Sequence, residues 1–364
     1  MLPAWALALP RLRALALRGC RMGGPLPDAP DAPAEGSNAP PLEWLDVSDN
    51  SFSGPLPPSW GSFPALRVLN ASHNALESEL PASLAALPAL EVLSLSHNRL
   101  RGPLPDALLL GPAGGGPPLR LLDVSRNRLA GTLPAAVGGH ATLAVLDAGR
   151  NAFEGPPPPP PRGARVWAAP DNALRGPLPA AALAAAPGLR HLDFAGNALL
   201  SGSLPVAALL SLPLLRHVNL SGCGLEGALP GDPGPEGLTP PRPDALRALG
   251  RLEVLDVAGN ALRGQLPPAL LRAAPALRHL DVSACGLSGP LPARELGALQ
   301  ALTFLELSGN TALEGTLPAA MAGPLEHFGA ARCALSGRVP LALAQRRGLR
   351  HFDVSDNALT WEFV

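Results

Sequence analysis

LEVLSLSHNRLRGPLP, from Leu90 to Pro105, is spelled again with few changes as LEWLDVSDNSFSGPLP from Leu42 to Pro57 and LEVLDVAGNALRGQLP from Leu252 to Pro267. The shared frame, LxxLxLxxN-x-L-x-G-x-LP, returns along almost the whole chain at a spacing near 24 residues. First positions fall at Leu12, Leu42, Leu66, Leu90, Leu119, Leu143, Ala164, Leu189, Leu215, Leu252, Leu277, Leu302, Leu325 and Leu349, fourteen in all. A repeat of this period cannot bury its leucines alone, so neighbours stack and the core grows along the stack. Although 364 residues would suggest two or three globular domains, the repeat argues for one elongated domain over 1–364. The expected fold is an α/β repeat solenoid of about 14 repeats of ~24 residues. Each repeat gives one short strand to a parallel β-sheet on a concave face, and the convex side is mostly irregular or 3-10.

The ninth position of the repeat carries Asn50, Asn74, Asn98, Asn127, Asn151, Asn172, Asn197, Asn260, Asn310 and Asn357. Where each turn leaves its strand, backbone groups point inward, and a buried unpaired N–H or C=O costs free energy. A side-chain amide satisfies both kinds. The other four repeats place Cys20, Cys223, Cys285 and Cys333 there, which accounts for every cysteine in the chain. A thiol is small, tolerates burial and donates weakly, so it can stand in for the amide. With strands roughly 4.8 Å apart, cysteines two repeats apart lie about 9 to 10 Å from each other. That is beyond the reach of a disulfide. No CxxC pair suggests zinc held by sulfur.

Composition excludes several classes of function. All 28 basic residues are Arg, there is no Lys, Ile or Tyr, and the net charge is −1. The basic footprint of a nucleic-acid binder is therefore missing, as is any polybasic run for an anionic membrane. No stretch of 18 apolar residues offers a transmembrane segment. The chain has no nucleophile elbow, HExxH, clustered acid pair or phosphate-cradling glycine loop. Without Lys it cannot contain a P-loop, a Schiff-base lysine or the strand lysine of a kinase. These readings imply no enzyme and no cofactor.

Side chains along a strand alternate faces, so positions three, five and seven point away from the leucine core. Position five is acidic, with Asp46, Asp123, Asp193, Asp281, Glu306 and Asp353 among its members. Position three holds His191, His217, His279, His327 and His351, with Trp44 and Phe304 as its only aromatics. These two columns supply the candidate partner-binding residues, since projecting aromatics often dominate binding energy. His191 with Asp193, His279 with Asp281, and His351 with Asp353 sit side by side on one strand each. Spread over seven repeats, the three pairs do not converge on one metal centre, and none is expected. Position two alternates in sign in places (Arg13, Glu43, Arg67, Glu91, Arg120), which predicts weak exposed ion pairs between neighbours.

Three repeats carry insertions after LP, at 28–41, 111–118 and 231–243, and six prolines from Pro156 to Pro161 replace LP in the sixth. Pro3 precedes Leu12 by nine residues, as Pro57 precedes Leu66, so the apolar N-terminus keeps the repeat phase and is not recognised as a signal peptide. Both ends expose leucine-lined core without a polar cap, which predicts a fragment of a longer protein. Two glycosylation sequons, at Asn70 and Asn219, lie on the strand column.

The half-repeat seen in Leu100-Arg101-Gly102-Pro103-Leu104-Pro105 and Leu129-Ala130-Gly131-Thr132-Leu133-Pro134 resembles the plant-specific class of leucine-rich repeats, which more often spells it LxGxIP. The drain of AT-rich codons would suit a green alga. The resemblance implies a leucine-rich-repeat horseshoe and a ligand-recognition role in a receptor-like kinase or receptor-like protein, with a protein, peptide or glycan ligand at the cell surface. An intracellular scaffold, cytoskeletal or ciliary, is the alternative. A secreted polygalacturonase inhibitor fits less well, because the paired-cysteine caps of that group are missing.

Overall fold

The structure is a computed structural model and describes residues 1–30, 41–111, 114–232 and 243–361. Most of the insertions at 28–41 and 231–243, with two residues of that at 111–118, lie outside the described residues, as do Phe363 and Val364. Two compact units divide the chain, Met1–Leu174 and Arg175–Val364.

The N-terminal half is built on the strands Ala14–Ala16, Trp44–Asp46, Val68–Asn70, Val92–Ser94, Leu121–Asp123, Val145–Asp147 and Val166–Ala168. They pair in parallel and in sequence order with no offset in the repeat, as Val68↔Val92 and Leu69↔Leu93 show. Position four of each repeat faces the core: Leu45, Leu69, Leu93 and Leu122 are wholly buried, and Trp167 takes the same place in the seventh repeat. Position eight then reverses the chain in the left-handed region. His97 has φ 55° and Arg126 φ 55°, and Gly takes that place in the Cys20 repeat at φ 68°. Past the turn, a second parallel sheet runs through Gly23–Pro25, Ser51–Gly54, Ala75–Ser78, Arg99–Gly102, Arg128–Thr132 and Ala152–Gly155. Three of these strands, Ser51–Gly54, Arg99–Gly102 and Ala152–Gly155, end on the repeat's Gly. At Gly102 φ is 77°, a left-handed conformation that makes the LxGxLP glycine a conformational preference here. LP then opens a short 3-10 turn, as in Pro58–Ser62, Ala82–Ala86 and Ala135–Gly139. Proline suits that start because its missing N–H would find no partner in the first turn.

The C-terminal half repeats the plan with the strands His191–Asp193, His217–Asn219, Val254–Asp256, His279–Asp281, Phe304–Glu306, His327–Gly329 and His351–Asp353. Its back is mostly single α-helical turns, including Ala180–Ala184, Pro268–Ala273 and Ala293–Gly297. Its second sheet is interrupted. Leu199–Leu200 is followed only by isolated bridges from Ser203 to Glu226 and from Glu226 to Ala261, and a four-stranded sheet resumes at Ser288–Pro290. The interruption covers the Cys223 and Asn260 repeats, only the first of which lacks the ninth-position amide.

Amide and thiol bond differently at the ninth position. Asn98 Oδ1 accepts the Leu76 N–H of the preceding repeat at 2.9 Å, while its Nδ2 donates to the carbonyls of Ala71, Leu95 and Ser96. Cys223 Sγ donates to Phe194 O at 3.3 Å, Cys285 Sγ to Val257 O at 3.1 Å and Cys333 Sγ to Leu307 O at 3.5 Å. These are the carbonyls that an Asn would reach, at position six of the previous repeat. What the thiol lacks is a strong acceptor for the preceding repeat's N–H. Before Cys223 and Cys333 the preceding repeat holds one extra residue, and Leu200 N–H turns back onto Asn197 O at 3.0 Å, Leu313 N–H onto Asn310 O at 2.9 Å. Cys20, in the first repeat, is exposed and reaches only its own repeat's Arg18 O.

Candidate ligand-binding face

Position three of the N-terminal half forms an apolar row. Trp44, Val68, Val92, Leu121, Val145 and Val166 lie side by side and line a shallow trough of about 340 Å³, bordered by Asn70, Ser94, Asp123 and Asp147. Trp44 is 46% exposed. Sequence reasoning singled out Trp44 but missed its aliphatic continuation, which a column-wise reading of position three would have shown.

In the C-terminal half the same position is a stack of rings. His191 and His217 lie with ring centroids 4.1 Å apart, and His279, Phe304, His327 and His351 follow one another at 4.1, 4.1 and 4.3 Å. Strand spacing sets these distances, because a parallel pair without offset puts like positions about 4.8 Å apart. Burial lowers the basicity of His191 and His279 and brings His217 down to about 4, the charges of His191 and His279 adding to the effect. Phe304 is thus brought together with three of the candidate histidines, while Trp44 stands in the other half.

The acidic column has a structural duty as well. Asp46 Oδ1 accepts both the N–H and the hydroxyl of Ser48, at 2.9 and 2.6 Å. Asp123 with Ser125, Asp281 with Ser283 and Asp353 with Ser355 repeat the arrangement. Asp193 accepts the Ala195 N–H. One carboxylate oxygen therefore fixes the end of the strand, and the D-x-S spelling is its signature. Asp147 and Asp256 are raised by burial, whereas the Ser355 hydrogen bonds lower Asp353. Glu306 is raised by burial, but the Ser308 and His327 hydrogen bonds outweigh this and leave it lowered. In the two sequons, Asn70 and Asn219 make the same bonds to Ser72 and Ser221.

Along the edge, Arg13 pairs with Glu43, Glu91 with both Arg67 and Arg120, Arg216 with Glu253, and Arg350 with Glu326, each arginine more than half exposed. The buried thiols are poor nucleophiles: burial pushes Cys223 up to about 11 and Cys285 up to about 12. Among the described residues no helix is long and apolar enough to cross a membrane.

Two models described as leucine-rich repeat match, over residues 40–100 and 251–272. No curated protein sequence matches. Among solved structures, the ectodomain of the Arabidopsis thaliana membrane receptor kinase GASSHO1/SCHENGEN3, in complex with CASPARIAN STRIP INTEGRITY FACTOR 2, shares 27% identity over 94% of this chain and 38% of that one, with TM-score 0.79. The Arabidopsis receptor kinase HAESA ectodomain, bound to an IDA peptide hormone, shares 26% over 98% of this chain and 56% of its own, with TM-score 0.78. PEPR1 bound to AtPEP1 shares 25%, over 98% and 50%, with TM-score 0.77. The chain thus spans about half the length of these structures.

Proposed function

We propose that this chain, which is similar to plant-type leucine-rich repeat proteins, is the non-catalytic ligand-recognition portion of a receptor-like protein at the cell surface, and that its ligand is an extended peptide. The ligand lies along the first-sheet face, the concave side of such repeats. The observation that carries this is the apolar row from Trp44 to Val166 with its polar border. A strand-spaced ladder of small aliphatic side chains offers an extended chain a dry contact every ~4.8 Å, and the flanking amides and carboxylates offer it hydrogen bonds. The similarity to the HAESA ectodomain, which is bound to a peptide hormone, supports the same reading. A protein or glycan ligand would use the same columns, but glycans call for more polar surface than this row provides.

Selection of random linear peptides on the purified chain tests the proposal. Enriched peptides are expected to bind Val92→Asp at least roughly tenfold more weakly, about 1.4 kcal/mol, because a buried carboxylate would replace an apolar contact. Enrichment failing altogether, or peptides that bind Val92→Asp and Val145→Asp as well as the parent, would end it. In source cells, the native protein is expected in the membrane fraction as a band shifted by deglycosylation. A soluble, unshifted band would instead support the intracellular scaffold.

A further inference from the structure

Pairs read along one strand do not reveal what lies across the sheet. Parallel pairing sets His191 beside His217 and His327 beside His351, each pair on adjacent strands. Their rings are nearly parallel, at 13° and 8°, so each pair presents ring edges to the same side of the sheet. A carboxylate completes each group. Asp193 comes from the strand of His191, with Oδ2 3.9 Å from His191 Nε2. Glu306 comes from the strand before His327, with Oε2 2.7 Å from His327 Nε2. In both groups one donor atom of each residue lies within 4.8 Å of the other two.

We propose that the two triads, His191 with Asp193 and His217, and Glu306 with His327 and His351, each bind one zinc ion or a like divalent transition metal. Zinc sits about 2.0 to 2.1 Å from imidazole nitrogen and 2.0 to 2.2 Å from carboxylate oxygen, so donors must come to roughly 3 to 4 Å of one another. Small rotations of side chains on an open sheet face achieve that. Two imidazoles and one carboxylate suit zinc, whereas calcium and magnesium want more oxygens.

Both carboxylates are already oriented by a second contact. Asp193 Oδ1 accepts the Ala195 N–H at 3.1 Å, and Glu306 Oε1 accepts the Ser308 N–H at 3.0 Å, which turns the other oxygen of each toward histidine. Glu306 lies over Gly329, where any Cβ would collide with the carboxylate. Outer contacts of this kind fix ligand geometry in metal sites. Asp256, His279 and Asp281 also approach within 4.8 Å, but they offer a single imidazole, stacked on Phe304, and are the poorer zinc set. Three protein donors on an open face leave a coordination position turned to solvent, where an imidazole or carboxylate of a partner would complete the shell.

Calorimetric titration with zinc sulfate tests the triads without any partner. The metal-free Cys20→Ser chain is used, because Cys20 is the exposed thiol and would otherwise hold zinc through sulfur. Saturable binding of about two ions per chain is expected, with no response to calcium or magnesium. His217→Ala and His351→Ala should each remove one ion, and the double variant both. Should His217→Ala fail to fold, His191→Gln serves the same triad. Cobalt(II) should give the weak visible bands of nitrogen and oxygen ligation without thiolate charge transfer. Absence of saturable zinc binding, or binding that persists unchanged in the double variant, overturns the proposal.

Discussion

Outward position three reads Ala14, Trp44, Val68, Val92, Leu121, Val145 and Val166 in the N-terminal half, and His191, His217, Val254, His279, Phe304, His327 and His351 in the C-terminal half. The ladder divides in the same way: all three buried thiols belong to the C-terminal half, and an uninterrupted second sheet belongs to the N-terminal one. Inward position four, by contrast, stays apolar in both, with Val218, Phe328 and Phe352 the C-terminal departures from Leu and Trp167 the N-terminal one. The lesson is that the stack constrains what faces inward and leaves the sheet surface free to specialise. One half carries an apolar row and the other a row of titratable rings on the same backbone.

The comparison is most exposed to test at the ladder. Asn98→Ala removes four hydrogen bonds at a buried site and should cost about 2 to 4 kcal/mol in urea unfolding. Cys285→Ala removes one weak bond and should cost about 1 kcal/mol or somewhat more, for the small cavity. Equal costs would mean that the thiol and the amide do the same work.

A second test uses pH, since His217 stands in the C-terminal column. His217 has an ordinary value of 6.5 and is held down to about 4 by burial. The unfolded chain takes up a proton near 6.5 and the folded chain refuses it until about 4. The stability this gives is therefore whole above 6.5 and declines as pH falls toward 4. Metal-free protein should unfold more easily at pH 5 than at pH 7, and His217→Val should flatten that slope. An unchanged slope would show that position three does not set the acid sensitivity of this half.

A smaller effect is expected from restoring the amide. In the Asn260 repeat, which has the ordinary length, Leu262 occupies the place whose N–H meets the next Asn elsewhere. Cys285→Asn should therefore stabilise by about 0.5 to 1 kcal/mol. Cys223→Asn should gain less, because Leu200 N–H already has Asn197 O. Smallest of all is Arg67→Ala on the exposed edge, for which calorimetry should show no resolvable shift in melting temperature.

Much of this was legible in the sequence. The period located every first-sheet strand, because burying a leucine at positions one, four and six of each turn leaves no freedom of register. Membership of His191, Asp193 and Glu306 in the outward columns followed from alternation. Cross-strand neighbours were harder to read, since a pairing such as His191 with His217 depends on aligning repeats of different length. The carboxylate bonds to Ser48 and its equivalents were visible in the D-x-S spelling, yet an acidic stripe reads first as free charge. The α-helical turns of the C-terminal half carry no cap residue to announce them; Ala180–Ala184, for example, follows Pro179 without a side-chain cap.

The extra residues in the Asn197 and Asn310 repeats change what an exchange of Asn for Cys in the next repeat would cost. Exchanging Asn for Cys in a repeat whose predecessor is still of ordinary length strands a buried N–H, at a cost of about 1 to 3 kcal/mol. Lengthening the predecessor first gives that N–H a carbonyl, after which the exchange is nearly silent. Insertion and substitution at these sites thus form an epistatic pair with one easy path. Related chains should therefore show the long turn with Asn beside it more often than the short turn with Cys.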